Sequence, residues 1–126
     1  MIGVQIQGLT VRGPQGVMVE PFDATIAPGR TLAIIGESGS GKTLSAKSLI
    51  GLLPRGFRAA GTAVVGDITL ALDAAPAAWT SVRGSTVALL LPLPFTSLSH
   101  VHRCGDQIAW TLRAASDRRI AASELT

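Results

Sequence analysis

One segment of the chain, Gly36-Glu37-Ser38-Gly39-Ser40-Gly41-Lys42-Thr43, sets its fold class. It matches the pattern G-x-x-x-x-G-K-[ST] at every fixed position, which is typical of a phosphate-binding loop, or P-loop. Glycines let the backbone curl so that its N–H groups turn toward phosphate oxygens. Lys42 would bring positive charge to the β- and γ-phosphates, and the Thr43 hydroxyl is a hard oxygen ligand suited to Mg²⁺. We therefore predict that residues 36–43 bind the phosphates of a nucleotide, with Thr43 as the metal ligand.

The segments on either side of the loop fit this interpretation. Thr31 to Ile35 is a short apolar run that ends at Gly36 and predicts a buried strand. Beyond the loop, apolar residues recur at i, i+3, i+4 and i+7, which predicts an amphipathic helix from about Gly41 to Leu53. These residues are Ala46, Leu49, Ile50 and Leu53. A strand before the loop and a helix after it are the context that the motif requires.

The first thirty residues predict an antiparallel arrangement of strands. Alternation at Ile2, Val4 and Ile6 indicates a half-buried strand, which Gly8 interrupts and Leu9 to Val11 extends. Residues 12–16 have turn composition, and extended segments follow at Val17 to Val19 and Phe22 to Ile26. Pro28-Gly29 marks a tight turn.

The second half of the chain gives weaker signals. Residues 55–66 look irregular, whereas Ile68, Leu70 and Leu72 alternate as an edge strand would. Val87 to Leu91 is a continuous apolar run and predicts a second buried strand. From Asp106 onward the pattern is helical, and Ser116 to Thr126 either prolongs that helix or begins another.

Composition narrows the classes of function. The chain has 126 residues, which suits one compact domain, and 47% are apolar, enough to form a core. The net charge of +3 comes from scattered basic residues, so no nucleic-acid-binding patch is predicted. Cys104 with His100 and His102 is a weak metal-binding pattern, and an ordinary loop is favoured there. The longest apolar run, Val87 to Phe95, is too short to span a bilayer, which takes about 20 helical residues.

Three stretches resemble the N-terminal part of an ABC transporter ATP-binding subunit. The first is Pro28 to Ile35 followed by the P-loop, whose Gly-Glu-Ser-Gly-Ser-Gly-Lys-Thr variant is typical of peptide and nickel importers. The second is Arg83-Gly84 with Val87-Ala88, and the third is Pro94 to Leu98 followed by Gly105 to Ile108. The latter two resemble the segment around the Q-loop of that branch.

The resemblance implies an α/β fold with an incomplete P-loop NTPase-type core, an N-terminal antiparallel β subdomain and the start of a helical subdomain. Within residues 1–126, the β subdomain and core would occupy about 1–91, and the Q-loop-like segment and helical part about 92–126. The implied cofactors are ATP and Mg²⁺. The implied partners are permease subunits and a second ATP-binding subunit, on the cytoplasmic face of the cell membrane.

The chain also departs from the family. Pro92 stands where the family has the Q-loop glutamine, and the position that usually carries an adenine-stacking aromatic residue falls at Arg12 or Gly13. The signature loop, the Walker B strand and the switch histidine are not found in the sequence, so we expect no ATP hydrolysis by this chain alone. Two alternatives stay open: a truncated or decaying paralogue that binds nucleotide without catalysis, and, more remotely, a small P-loop kinase.

Overall fold

The computed structural model describes residues 2–93 and 97–115, without the side-chain burial of the last two residues. Its described residues divide into two compact units, one that ends at Thr80 and one that begins at Ser81. The first unit holds a four-stranded antiparallel sheet in the order β2-β1-β3-β4. The strands are β1 (Val4–Gly13), β2 (Gly16–Ile26), β3 (Arg58–Val65) and β4 (Ile68–Ala71). A helix, α1 (Lys42–Ser48), lies between β2 and β3 in the chain.

The hairpin of β1 and β2 forms as the alternation predicts. The two strands pair from Val4 with Ile26 to Gly13 with Gly16, and the predicted tight turn follows, with the Arg30 N–H donating to the Ala27 carbonyl at 3.0 Å. The register slips where Gly8 interrupts the pattern, at a φ of 59°. The Asp23 carboxylate accepts the Gly8 N–H at 2.6 Å, so the side chain satisfies a donor that the slip leaves out of register.

The prediction that residues 55–66 are irregular is wrong, because β3 occupies most of them. Alanine and glycine are poor strand formers, so the local sequence hides this strand. Pairing with β1 on one side and β4 on the other stabilises it nevertheless. Gly61, at a φ of 106°, makes the pairing possible, since a Cβ there would lie 2.5 Å from the Gly8 carbonyl oxygen. The strand is thus decided by the close approach of two backbones.

The predicted buried strand at residues 31–35 is absent from the structure. These residues have no regular secondary structure, and the Ile35 side chain is 92% exposed. A strand needs a hydrogen-bonded neighbour as well as apolar side chains, and the described sheet offers none to this segment. The second predicted buried strand, residues 87–91, is likewise not formed beyond a single bridge between Arg83 and Val87, and Leu90 is 96% exposed.

The helix after the loop is shorter than its apolar pattern predicts. It ends at Ser48 because Gly51 adopts a left-handed conformation at a φ of 62°. The Gly51 N–H donates to the Ser48 carbonyl at 3.2 Å and the Leu52 N–H to the Lys47 carbonyl at 2.9 Å. This pair of bonds is a Schellman motif, which satisfies the last carbonyls of a helix. Pro54, the predicted stop, therefore lies outside the helix.

The buried face of α1 also differs from the predicted one. Of the predicted apolar face, Ile50 is buried just beyond the helix, whereas Ala46, Leu49 and Leu53 are only half-buried, and Ser45 and Ser48 are buried in the helix itself. Serine can be buried here because each hydroxyl bonds within the helix: Ser45 Oγ donates to the Gly41 carbonyl at 3.0 Å, and Ser48 Oγ to the Ser45 carbonyl at 2.7 Å. The small side chains allow α1 to lie close to β1.

The core of the first unit is aliphatic, with one aromatic residue. Trp79, at the end of a short 3₁₀ turn over Pro76–Trp79, is only 1% exposed and packs against Gly51. The other buried apolar residues of the first unit are Ile6, Leu9, Val11, Val19, Ile50, Ala59, Ala63, Val65, Leu70 and Leu72. At the β4 edge Leu70 and Leu72 are buried, as their alternation predicts, whereas Ile68, the first residue of that pattern, is exposed.

The second unit contains a turn and a helix. Residues 81–87 form the turn, which the Gly84 and Val87 N–H groups close by donating to the Val87 and Val82 carbonyls. The predicted helix is present as α2 (Cys104–Ala115), and residues 116–126 lie outside the described part. None of the helices within residues 2–93 and 97–115 is long and apolar enough to cross a membrane.

Candidate phosphate-binding site

The loop of residues 36–43 follows the irregular segment 31–35 and ends in the first two residues of α1. Gly39 and Gly41 have φ values of 83° and 88°, whereas no residue other than glycine has a positive φ in the described chain. The sign of φ therefore alternates from Ser38 through Gly41. Such alternation turns successive backbone N–H groups toward one side and forms a concave site for anions. The two glycines are required by this geometry, because other residues rarely adopt it.

A side chain would meet close neighbours at two of the loop's glycines. A Cβ at Gly36 would lie 2.7 Å from Ser40 Oγ, and one at Gly41 would lie 2.5 Å from Val19 Cγ2 on β2. Gly39 differs, since nothing lies within 4 Å of the corresponding point. The loop is thus packed firmly against β2 at Gly41 and open at Gly39, while the contact at Gly36 is with the rotatable hydroxyl of an exposed serine.

Lys42 extends its side chain back into the loop. Its Nζ donates to the Gly36 carbonyl at 2.8 Å, to the Glu37 carbonyl at 2.5 Å and to Ser40 Oγ at 3.3 Å. All three acceptors are uncharged oxygens of the loop itself. The ammonium charge is therefore placed inside the loop, and among residues 2–93 and 97–115 no carboxylate bonds to it, so an anionic ligand could take its place against the loop oxygens.

The remaining loop side chains face solvent. Glu37, Ser38 and Thr43 are exposed, and the Ser40 N–H donates to the Glu37 carbonyl at 3.3 Å, which closes the turn. The exposed Thr43 hydroxyl follows Lys42 at the start of α1, where it is accessible to a hydrated cation. An ammonium group, backbone donors and a hydroxyl together suit a nucleoside polyphosphate with Mg²⁺.

Other residues weighed from the sequence lie away from this loop in the chain. Pro92 is exposed in a bend, and residues 94–96, part of the Q-loop-like segment, lie outside the described residues. The His102 ring packs edge-on against Trp110 with centroids 5.1 Å apart, and Cys104 is exposed at the start of α2. Across the described residues, no three metal-binding side chains come together.

Phe57 lies near the site, although no local sequence motif indicates this. The ring of Phe57 lies against Gly13, where a Cβ would be 2.8 Å from Phe57 Cε1. Its proximity depends on the pairing of Arg12 with Arg58, and thus on a strand that the local sequence conceals. The one signal in the sequence is that Phe57 is aromatic in a chain that has few aromatic residues.

Comparison with known proteins identifies the family to which this chain belongs. A family model described as ABC transporter matches residues 19–90, which include the loop. A Brucella abortus (strain 2308) protein named for peptide import and ATP binding is 36% identical over 120 residues. A nickel import ATP-binding protein of Pseudomonas putida (strain KT2440) is 35% identical over 111 residues. A dipeptide transport ATP-binding protein of Lactococcus lactis (strain MG1363) is 37% identical over 81 residues.

These alignments cover most of the chain but only part of each relative. They include 87% of this chain for the Brucella and Pseudomonas proteins and 64% for the Lactococcus protein. The corresponding shares of the relatives are 36%, 41% and 23%. Because the family model spans more than half of the chain, the chain belongs to the ABC transporter family.

Proposed function

We propose that this chain binds Mg²⁺-ATP at residues 36–43 and acts as the nucleotide-binding part of an ABC importer for peptides or nickel. The observation that carries the proposal is the convergence of the Lys42 ammonium group on the Gly36 and Glu37 carbonyls, inside a loop with glycines at positive φ. The relatives named for peptide import and for nickel import support the choice of peptides or nickel as the cargo.

The residues of the loop have distinct roles in this proposal. Backbone N–H groups of the loop other than that of Ser40, which is bonded to the Glu37 carbonyl, face the phosphate oxygens, and Lys42 transfers its hydrogen bonds from the loop carbonyls to the β- and γ-phosphates. The Thr43 hydroxyl is the protein's ligand to the metal. When bound, Mg²⁺ supplies charge neutralisation across the phosphates. Ser40 Oγ, already 3.3 Å from Lys42 Nζ, keeps the ammonium group near the centre of the loop.

The proposal extends to partners at the level of the family. Import systems combine ATP-binding subunits with permeases, so we propose permease subunits and a second ATP-binding subunit as the partners of the complete assembly. This would hold the chain on the cytoplasmic face of the membrane. The P-loop NTPase-type core belongs to the same proposal. Residues 31–35 and 87–91 would become strands of that core only beside neighbouring strands, which the described sheet does not provide.

The test is nucleotide binding by the Lys42→Ala variant. This variant lacks the ammonium group, and the lost charge-assisted contacts to the phosphates weaken the binding free energy by about 1.5–3 kcal/mol. The affinity for a fluorescent ATP analogue with Mg²⁺ should therefore fall by about tenfold or more. The chain's other lysine provides a matched control, since Lys47 lies in the last turn of the same helix. Lys47→Ala should bind as the unmodified chain does. Equal binding by Lys42→Ala and the unmodified chain would contradict the assignment.

A further inference from the structure

The aromatic ring of Phe57 lies close to the phosphate-binding loop, and three contacts connect them. A Cβ at Gly41 would lie 3.0 Å from the Met18 carbonyl oxygen, so Met18 borders the loop. A Cβ at Gly13 would lie 3.1 Å from Met18 Cγ and 2.8 Å from the Phe57 ring. Met18 therefore separates the loop from a surface made by Gly13 and Phe57, which we call the Phe57 platform.

The Phe57 platform faces open space. Phe57 is half-buried and borders a cavity of about 460 Å³, which is in the size range of small-molecule sites. Arg12 and Arg58, paired across β1 and β3, also line this cavity. An aromatic face, two cationic side chains and a nearby phosphate loop form a combination that suits a flat aromatic group joined to phosphates.

The other aromatic residues of the first unit are less suited to this role. Trp79 is 1% exposed, so its ring faces are already covered. Phe22 pairs with Leu9, toward the middle of β1 and away from the hairpin end where Gly13 lies. Phe57 alone of these three combines a half-exposed ring with contacts that lead to the loop.

We propose that Phe57 is the residue on which the nucleotide base stacks when the phosphates occupy residues 36–43. The inference rests on the proposed function. Gly13 has no side chain, and the Phe57 ring, from the loop just before β3, fills the space beside it. The base is held by its π face, since a phenyl ring has no hydrogen-bonding group, and the adjacent guanidinium of Arg12 can cover it from the rim.

The experiment compares Mg²⁺-ATP with Mg²⁺-tripolyphosphate, which has the phosphates without the base, by isothermal titration of the full chain. The unmodified chain should bind ATP more tightly than tripolyphosphate. Stacking of a base on an aromatic residue is worth about 1–3 kcal/mol, so Phe57→Ala should weaken ATP binding about tenfold and leave tripolyphosphate binding unchanged. Phe57→Leu, which preserves apolar volume, should lose most of the same preference, and Phe57→Trp should restore it.

Phe22→Ala is the matched control, because it removes a half-buried phenylalanine of the same sheet without touching the Phe57 platform. It should bind both ligands as the unmodified chain does. The inference is overturned if Phe57→Leu keeps the full preference for ATP, or if Phe57→Ala weakens both ligands equally. Equal affinity of the unmodified chain for the two ligands would overturn it while leaving the phosphate site intact. Binding of neither ligand would overturn the proposed function as well.

Discussion

At the scale of single residues, Gly39 and Gly41 have nearly equal φ angles but are required in the loop for different reasons. Gly39 and Gly41 have φ values of 83° and 88°, but only Gly41 is crowded, by Val19 Cγ2 and the Met18 carbonyl oxygen. The conformation of Gly39 is thus a property of the loop, whereas Gly41 also fixes the distance between the loop and β2. The sequence motif shows glycine at both positions, but it does not show which glycine is needed for its positive φ alone and which is also needed for close packing against β2.

Alanine substitutions should separate these two requirements. Gly39→Ala is expected to lower the free energy of unfolding by about 1–2 kcal/mol, the cost of a left-handed conformation for an L-residue. Gly41→Ala has the same cost plus about 1–3 kcal/mol from overpacking against Val19. Urea unfolding of the two variants measures the difference directly. Equal destabilisation would show that β2 moves freely away from the loop.

At the scale of elements, the end of α1 shows how a helix is terminated by its tertiary surroundings. The apolar period continues to Leu53, yet the Schellman motif at Gly51 ends the helix earlier. Trp79 occupies the space that a side chain at Gly51 would need, with Nε1 2.6 Å from the position of a Cβ. The helix end and the burial of Trp79 therefore depend on the same glycine.

Gly51→Ala is expected to destabilise the chain by more than the left-handed conformation alone would. Gly8→Ala is the matched control, since Gly8 has a φ of 59° against 62° for Gly51, but nothing lies within 4 Å of its Cβ position. We expect about 1–2 kcal/mol for Gly8→Ala and at least about 1 kcal/mol more for Gly51→Ala. Thermal unfolding followed by tryptophan fluorescence measures both. Indistinguishable midpoints would contradict the role of the Trp79 contact.

At the scale of the whole molecule, apolar side chains are exposed in the two segments predicted as buried strands. Ile35 and Leu90 are among the most exposed, each in a segment without a full strand partner in the described residues. Exposed apolar runs promote association with other chains.

Polar substitution in these segments should therefore improve solubility without a loss of stability. Ile35→Ser and Leu90→Ser are expected to raise the concentration at which the chain aggregates, while the free energy of unfolding changes by less than about 0.5 kcal/mol. Leu9→Ser, at a position with 0% exposure, should unfold the chain. Light scattering and urea unfolding provide the two measurements. A large loss of stability in Leu90→Ser would show that this residue packs in the core.

The sequence by itself determined the loop, the hairpin of β1 and β2, the edge strand and the presence of α2. Each of these depends on a local signal: a motif with fixed glycines, alternation of apolar residues, a Pro-Gly turn or a helical period. The loop residues Lys42 and Gly41 could be named from the motif alone, because their roles depend on the backbone conformation of a few neighbouring positions.

Only the tertiary structure decided the rest. Strand β3 exists because β1 and β4 pair with its alanine- and glycine-rich backbone, and that pairing brings Phe57 to Gly13. The apolar run at residues 31–35 has the composition of a strand but remains irregular, since hydrogen bonds between strands require a neighbour. Local sequence specifies which conformations a segment can adopt, whereas contacts between distant segments select among them.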